Sequence, residues 1–592
     1  MTLSSPHHDG SGLYVRNQPI APGDEVTVRL RVPAPSGVES VALRYVHDGE
    51  PAFVRATVDE RNAHETWWLA RFPALNLSTR YRWLISGGSQ NYAWVNGLGV
   101  HQRDVADADD FAITHDPGGP DWHLKSVVYE IFPDRFATSG LHVAPPAWAI
   151  PRPWDALPAG RGPQTPYEWF AGDLRGIEQH LGHIEQLGAT ALYIRPFFPA
   201  QSTHRYDAIS FDRVDPLLGG DHAFSSLVRA AHARGLRLIG DLTTNHTGSQ
   251  HEWFPSERGF YFFDESLPLG YEAWYGVPSL PKLNWSSGEL RKRFEAIVRR
   301  WLDGGLDGWR IDVANMTGRR RDQDLNLEVA KLIRNATGDA LLIAEHAHDF
   351  RADLAGGSWH GTMNYAGFMR PLWAWLRADK LGEDLERSFH GVPAGVPRLD
   401  GEDVVSIMNT FRAGVPWPQV VHSWSLLDSF DSARFKTVTG TRERQLVGVG
   451  LQMTMPGVPL ICAGDELGLE GAWAEDARRT IPWDAPHSWD ARTLECYRSL
   501  ISTRRSSDAL QHGGLRYVHV DSDVIAFLRE TPAERLLCLA SRRPHEPVRV
   551  SLAHLDADEL ETVIGAEPTT GKDAVSLPAD GPSFHVWKII RG

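Results

Sequence analysis

Three cysteines in 592 residues are few, and Cys462, Cys496 and Cys538 are odd in number, far apart and set in apolar runs. That pattern excludes a disulfide framework or a cysteine-based zinc site and fits buried free thiols in a reducing compartment. Positive charge is also scarce, since 60 Lys and Arg stand against 75 Asp and Glu for a net charge of -15. With no basic stripe, a nucleic-acid partner is excluded. The opening MTLSSPHHDG lacks both a basic run and an apolar core. It is no secretory signal, and a cytoplasmic location is expected. Residues 446–464, LVGVGLQMTMPGVPLICAG, are uncharged and long enough to span a bilayer, but Pro456, Pro459 and four glycines interrupt them. A core helix followed by a buried strand is predicted there, and no membrane partner.

What the chain has is length and periodicity. Up to about residue 117, short runs such as VTVRLRV and YRWLIS alternate apolar and polar positions between Gly, Pro and Asn turns. This predicts an N-terminal β-sandwich over 1–117. From about residue 126 the period changes. Leu174, Ile177, Leu181, Ile184 and Leu187 fall on one helical face, stop at Gly188 and lead into an apolar strand. The same order recurs with Phe224, Leu227 and Ala231 before LRLIGD; with Leu290, Phe294, Ile297 and Trp301 before LDGWRID; and with Leu325, Val329, Leu332 and Ala336 before ALLIAE. Helices alternating with nearly all-apolar strands predict an α/β fold, a (β/α)8 TIM barrel over 118–504. A final β-rich segment, 505–592, predicts a C-terminal β-sandwich.

Those strands end in carboxylates, Asp241, Asp312 and Glu345, and the C-terminal strand ends of such a barrel form its active-site face. In GLDGWRIDVAN, residues 305–315, Arg310 and Asp312 sit two apart near the end of a buried strand and therefore share a face. Burying such a pair is costly, so it is either a structural ion pair or a place of chemistry.

Seven collinear segments carry a resemblance: VVYEIFPDRF, STHRYDAISF, DLTTNH, GWRIDVAN, IAEH, LLDSFDSAR and PGVPLICAGDE. Together they resemble the α-amylase family of glycoside hydrolases along the whole barrel. The insert at about 247–285, ending in Leu280-Pro281-Lys282-Leu283-Asn284, is similar to the short domain B of its neopullulanase, cyclomaltodextrinase and maltogenic amylase group. The resemblance implies retaining hydrolysis of α-1,4 bonds in cyclic or short α-glucans, with Asp312 as nucleophile, Glu345 as acid/base and Asp431 as the third carboxylate. It also implies sugar contacts from Tyr206, His246 and Arg310, loop-shaping roles for Asp241 and Asn245, and a homodimer whose N-terminal domain walls off the partner's site. Ordinary packing for Tyr206 and a loop cap for Asp241 stay open. So do transglycosylation, pullulan cleavage and a non-catalytic glucan-binding role.

The chemistry of the motifs agrees with that reading. Retaining hydrolysis needs two carboxyls about 5–5.5 Å apart, one ionised and one protonated. Arg310 is expected to hold Asp312 ionised. Glu345, in LLIAEH, has no cation beside it in sequence and is expected to be raised by desolvation.

Three positions depart from the family: Phe430 stands where a His contacts sugar hydroxyls, Ala463 where an aromatic is common, and Glu130 where an amide is usual. The loop ATSGLHV lacks the oxygens of a calcium site, so no metal and no cofactor is predicted. The Pro- and Trp-rich insert 143–170 reads equally as a stiff wall with rings for sugars or as a packed surface loop.

Overall fold

The computed structural model describes residues 3, 5–87, 90–140, 143–354 and 356–590. Eight parallel strands make its centre: β1 (Val128–Ile131), β2 (Ala191–Ile194), β3 (Arg237–Thr243), β4 (Gly308–Asp312), β5 (Leu341–Ala344), β6 (Gly361–Thr362), β7 (Trp424–Leu426) and β8 (Val458–Cys462). Neighbours in sequence are neighbours in the sheet, and β8 returns to pair with β1. The seam between β6 and β7 is closed by a single bridge, Met363 to Trp424, and by the Asn364 amide donating to the Trp424 carbonyl at 3.0 Å. The barrel of the sequence reading is therefore present. Its strands are apolar throughout because helices cover the outside while the inward side chains fill the interior.

The helical faces are largely those of the periodicity. Leu174, Ile177, Leu181, Ile184 and Leu187 are all buried, yet they belong to two short helices, Leu174–Gln179 and Leu181–Leu187, broken at His180. Gly188 closes the second helix at φ 93°, a conformation that favours glycine. Helix Gly288–Asp303 is capped by Ser287, whose hydroxyl accepts from the Leu290 amide, and buries Leu290, Phe294, Ile297 and Trp301. In helix Asn326–Thr337 the buried face is Val329, Ala330, Ile333 and Ala336, one position round from the expected one, so Leu332 is only partly buried. Residues 446–464 divide into helix Arg442–Thr454 and β8, and among the described residues no helix is long and apolar enough to cross a membrane.

Antiparallel sheets flank the barrel. Before it, Val26, Val28 and Leu30 of one sheet pack on Leu43, Trp83 and Ile85 of another, a sandwich core separate from the barrel's. After it, strands Gly514–Val520, Val524–Glu530, Arg535–Ser541 and Ser583–Ile590 bury both faces. Phe527, Cys538 and Val586 face the barrel, while Ala526, Leu537 and Trp587 face a second small sheet. This is why DVIAFLRE and LLCLAS read as continuous rather than alternating runs. Cys462 and Cys538 are buried and Cys496 half-buried, all as free thiols. Of the loop read for calcium, Leu141 and His142 lie outside the described residues. Among the described residues no group of three acidic, His or Cys side chains has metal-binding geometry.

Below the barrel, at the strand starts, three histidines are buried together. His123 Nδ1 lies 2.9 Å from His422 Nδ1, and the Trp424 indole donates to His123 Nε2. The Leu342 amide donates to His360 Nδ1. Burial, with the neighbouring imidazole charges, pushes His123 well below its usual value; burial with Arg334 brings His422 to about 3 and His360 to about 2.

Two outcomes follow from this architecture. A Cβ on Gly361 would stand 2.5 Å from the His422 carbonyl oxygen and 2.7 Å from the Ser423 nitrogen, both backbone atoms across the β6–β7 seam. Gly361→Ala is expected to cost about 1–3 kcal/mol in urea unfolding; an unchanged midpoint would show the seam to be loose. The buried histidines stay neutral in the fold while their unfolded counterparts take up protons below about pH 6.5, each costing about 2 kcal/mol of stability by pH 5. Thermal midpoints are therefore expected to be highest above pH 7 and to fall between pH 6.5 and 5, and a flat profile there would contradict the neutral cluster.

Candidate active site

The site begins with strand register. In β4, Trp309 and Ile311 point outward into the helical layer, which turns Gly308, Arg310 and Asp312 inward. β3 pairs with β4 so that Asp241 lies opposite Arg310 and Thr243 opposite Asp312. The Glu345 amide donates to the Ile311 carbonyl, which sets Glu345 level with Asp312 just past the end of β5. Three carboxylates from three strands thus surround one guanidinium that is 0% exposed.

Arg310 Nη1 donates to Asp241 Oδ1 and to Asp312 Oδ1, each at 2.9 Å, and Nη2 lies 2.9 Å from Glu345 Oε1. Asp312 and Glu345 sit on the two nitrogens of one planar fork, which bounds their separation at about 8 Å. The Glu345 carboxylate also accepts from the Val313 amide at 2.7 Å. Val313 provides that amide at φ 37°, a left-handed backbone that a β-branched residue seldom adopts. Two sequence expectations are corrected here. Glu345 does have a cation beside it, brought by tertiary packing from β4. Asp312 is not simply held ionised: burial and the Glu345 charge push its carboxyl well up, and Arg310 opposes them. One cation is thus shared by two carboxylates.

Asp431, in the loop after β7, belongs to a second cluster. Arg195 Nη2 donates to its Oδ2 at 2.6 Å and Arg478 Nη2 to its Oδ1 at 3.0 Å. Burial alone would raise Asp431, but these two guanidiniums hold it far below the usual carboxylate range. Arg195 also donates to the Tyr206 hydroxyl at 3.0 Å and to Glu130 Oε1 at 2.9 Å. The Tyr206 hydroxyl donates in turn to Asp241 at 2.8 Å, joining the two clusters.

His246 and Asn245 are placed by the insert. Lys282 Nζ donates to Asn245 Oδ1 at 2.5 Å and to the Met316 carbonyl at 3.2 Å, so the Asn245 amide nitrogen faces His246 Nδ1 at 3.2 Å. Burial, then the Lys282 charge, lowers His246 to about 3, leaving a neutral ring. Its Nε2 is buried without a partner among the described residues.

These groups floor a cleft of about 780 Å³. Tyr206, His246, Asp312, Glu345 and Asp431 line it; Arg310, Asp241, Asn245 and Phe430 do not. The last four are buried beneath the lining, which suits the loop-shaping roles expected of Asp241 and Asn245 and sets Arg310 and Phe430 behind the cleft surface rather than on it. Phe430 is 2% exposed, its ring edge-on to Phe132 and beside Arg195 and Arg434, because the loop buries a side chain that has no polar atom to leave in water.

The insert 143–170 combines both of its readings. Trp148 and Tyr167 line the cleft, while Trp169 is buried and Trp154 donates to the Ile481 carbonyl at 3.0 Å. On the opposite side stand Trp274, Val277 and Leu280 of the short insert. Sequence reasoning missed Arg195, Arg478, Lys282 and the cleft-lining His204. A signal existed for Arg195, a charge at the end of the apolar run ALYIRPFF like Arg310 in its own strand. Arg478 is one of several charges in a polar loop and gives none.

Comparison with known proteins agrees with this geometry. Residues 130–508 match the family model of the α-amylase catalytic domain. The chain is 30% identical over 564 residues to neopullulanase 2 of Thermoactinomyces vulgaris, covering 89% of each chain, and 29% identical over 437 residues to a cyclomaltodextrinase of a Bacillus species, covering 71% of this chain and 73% of that one. Among solved structures, cyclic α-maltosyl-(1→6)-maltose hydrolase from Arthrobacter globiformis aligns at 29% identity and a TM-score of 0.66, covering 80% of this chain and all of that one. A cyclomaltodextrinase at 24% identity, with a TM-score of 0.72 over 99% of this chain, shares the fold. The chain therefore belongs to the α-amylase family, as a glycosidase of the neopullulanase and cyclomaltodextrinase type.

Proposed function

We propose that the protein opens α-1,4-glucosidic bonds of cyclic or short maltooligosaccharides with retention, and that its preferred substrate is a cyclic maltosyl-maltose. The observation that carries the reaction is the placing of Asp312 and Glu345 on one buried guanidinium at the cleft floor. Their separation, bounded at about 8 Å, admits the about 5–5.5 Å of a double displacement.

Arg310 fixes Asp312 Oδ1, which leaves Oδ2 to attack the anomeric carbon. Glu345, the more exposed of the two at 17% against 10%, gives its proton to the departing glycosidic oxygen. The shared cation suits this exchange. For attack Arg310 has to outweigh the burial that raises Asp312, so that with substrate bound Asp312 is the ionised member and Glu345 holds the proton it delivers. Once the aspartyl ester has formed, Asp312 carries no charge, and the same guanidinium favours the Glu345 carboxylate, which then takes a proton from the attacking water. Asp431 supplies negative charge toward the cationic sugar, and His246 offers its unpartnered Nε2–H to a hydroxyl.

The substrate class is supported by the walls of the cleft. Trp148 and Tyr167 from one insert, and Trp274 and Leu280 from the other, line a cleft of small-molecule size. The likeness to a cyclic maltosyl-maltose hydrolase, at 29% identity, supports the narrower choice. A homodimer joined through the N-terminal sandwich belongs to the same reading. Ile20, Phe53, Val58, Leu77 and Tyr92, large apolar side chains exposed on that part of the chain, support it.

Purified protein incubated with cyclodextrins, pullulan, starch and the branched-linkage cyclic tetrasaccharide is expected to release reducing ends fastest from the tetrasaccharide. Faster release from cyclodextrin or pullulan would reassign the substrate, and none from any would leave a glucan-binding protein. Asp312→Asn keeps the volume and removes the charge, so activity should drop below about a hundredth of wild type with an unchanged melting point. Higher residual turnover would overturn the nucleophile. Sedimentation is expected to give twice the chain mass, and a monomer would refute the pairing.

A further inference from the structure

Glu130 is the residue whose presence the reaction so far does not explain. It points inward from β1, fully buried, with Oε1 2.9 Å from Arg195 Nη1 and Oε2 without a hydrogen-bond partner among the described residues. A carboxylate so placed is expensive, because half of its acceptor capacity is unused away from water. An amide of the same shape would accept the Arg195 hydrogen bond equally well and leave no charge to desolvate. What the carboxylate adds over the amide is its charge.

The charges around Asp431 show what that charge can do. Asp431 is clamped between two guanidiniums, Arg195 and Arg478; Arg478 also meets the partly exposed Glu475 at 4.0 Å, so without Glu130 the fully buried Arg195 would draw its whole compensation from Asp431, which already serves Arg478. A carboxylate over-neutralised in this way offers little to a sugar carbon that becomes cationic. Glu130 takes the other terminal nitrogen of Arg195 and gives that buried cation a second carboxylate. We propose that Glu130 is a positioning residue that acts through Arg195, compensating its cation so that Asp431 keeps an effective negative charge toward the transition state. This rests on the retaining hydrolysis proposed above.

Glu130 is faced by Arg195 from β2, Arg310 from β4, Asp431 and Arg434 from the loop after β7, Cys462 from β8, and Tyr365. Burial raises its carboxyl to about 7, opposed by Arg195 and reinforced by Asp431. Compensation is then present above about pH 7 and lost as Glu130 takes up a proton below it.

Titration calorimetry with two probes separates charge from packing. The probes are 1-deoxynojirimycin, a basic sugar mimic, and maltose, a neutral one, tested on wild type, Glu130→Gln and Glu130→Asp. Glu130→Gln is expected to weaken the basic mimic about tenfold while leaving maltose within about twofold, the effect of one unit charge at this range. Its kcat should fall by a similar factor with KM little changed, and the rise of kcat/KM through pH 7 should disappear. Glu130→Asp keeps the charge and should keep the selectivity. Equal losses for both probes would mean a packing role, and an unchanged ratio and pH profile would mean none; either overturns the proposal, as does Glu130→Asp behaving like Glu130→Gln. The titrations need no turnover. A wild type that binds the basic mimic selectively but cleaves no glucan therefore sinks the hydrolase reading alone, and one that binds neither probe sinks both.

Discussion

A guanidinium with no access to water, Arg310, is the constraint on which the site is built. A single buried cation is tolerable only if anions repay its lost hydration. Asp241 does so from the next strand in exact register, and two tyrosine hydroxyls, Tyr193 and Tyr206, complete the hydrogen bonding of Asp241. With that pairing in place Nη1 still serves Asp312 and Nη2 faces Glu345. Asp241 is therefore a structural partner whose charge frees the remaining two carboxylates to share one cation.

The same logic is repeated around Asp431 with the signs reversed. There one carboxylate meets two guanidiniums, and a further buried carboxylate, Glu130, shares Arg195 with it. The Tyr206 hydroxyl connects the systems, accepting from Arg195 and donating to Asp241. Eight charged groups, Glu130, Arg195, Asp241, Arg310, Asp312, Glu345, Asp431 and Arg478, from seven strands or their following loops thus form one network, and a closed barrel is the architecture that can bring them to a single floor. The inserts then give the floor its walls. Lys282 reaches from one insert to orient Asn245 and through it His246, while the other insert is tied to the loop after β8 through Trp154 and Ile481. Backbone strain enters the site at Val313, whose left-handed turn aims an amide at Glu345.

Much of this was legible in the linear chain because it depends on local period. Helices at 3.6 and strands that end in Asp241, Asp312 and Glu345 announce a barrel and the rim where its chemistry lies. The failures have physical causes too. β6 is two residues long, too short to leave a pattern. The run from Leu174 to Leu187 keeps a helical spacing across the break at His180, because both halves face the same core. Glu345 looked free of cations because its partner lies 35 positions earlier in the chain and meets it only through β4–β5 pairing. Phe430 drew notice because it stands where the family has a sugar-contacting His, yet its ring is buried beside Phe132 while Asp431, the next residue, lines the cleft.

By itself, then, the sequence determined the barrel, the flanking sheets and the carboxylates that stand at the strand ends, since burial pattern and strand-end position are properties of short segments. Tertiary structure alone decided which cation serves which anion, which side chains reach the cleft and which support it from below. Those outcomes depend on distances between strands far apart in the chain, and electrostatic energy falls with distance in space, not along the polypeptide.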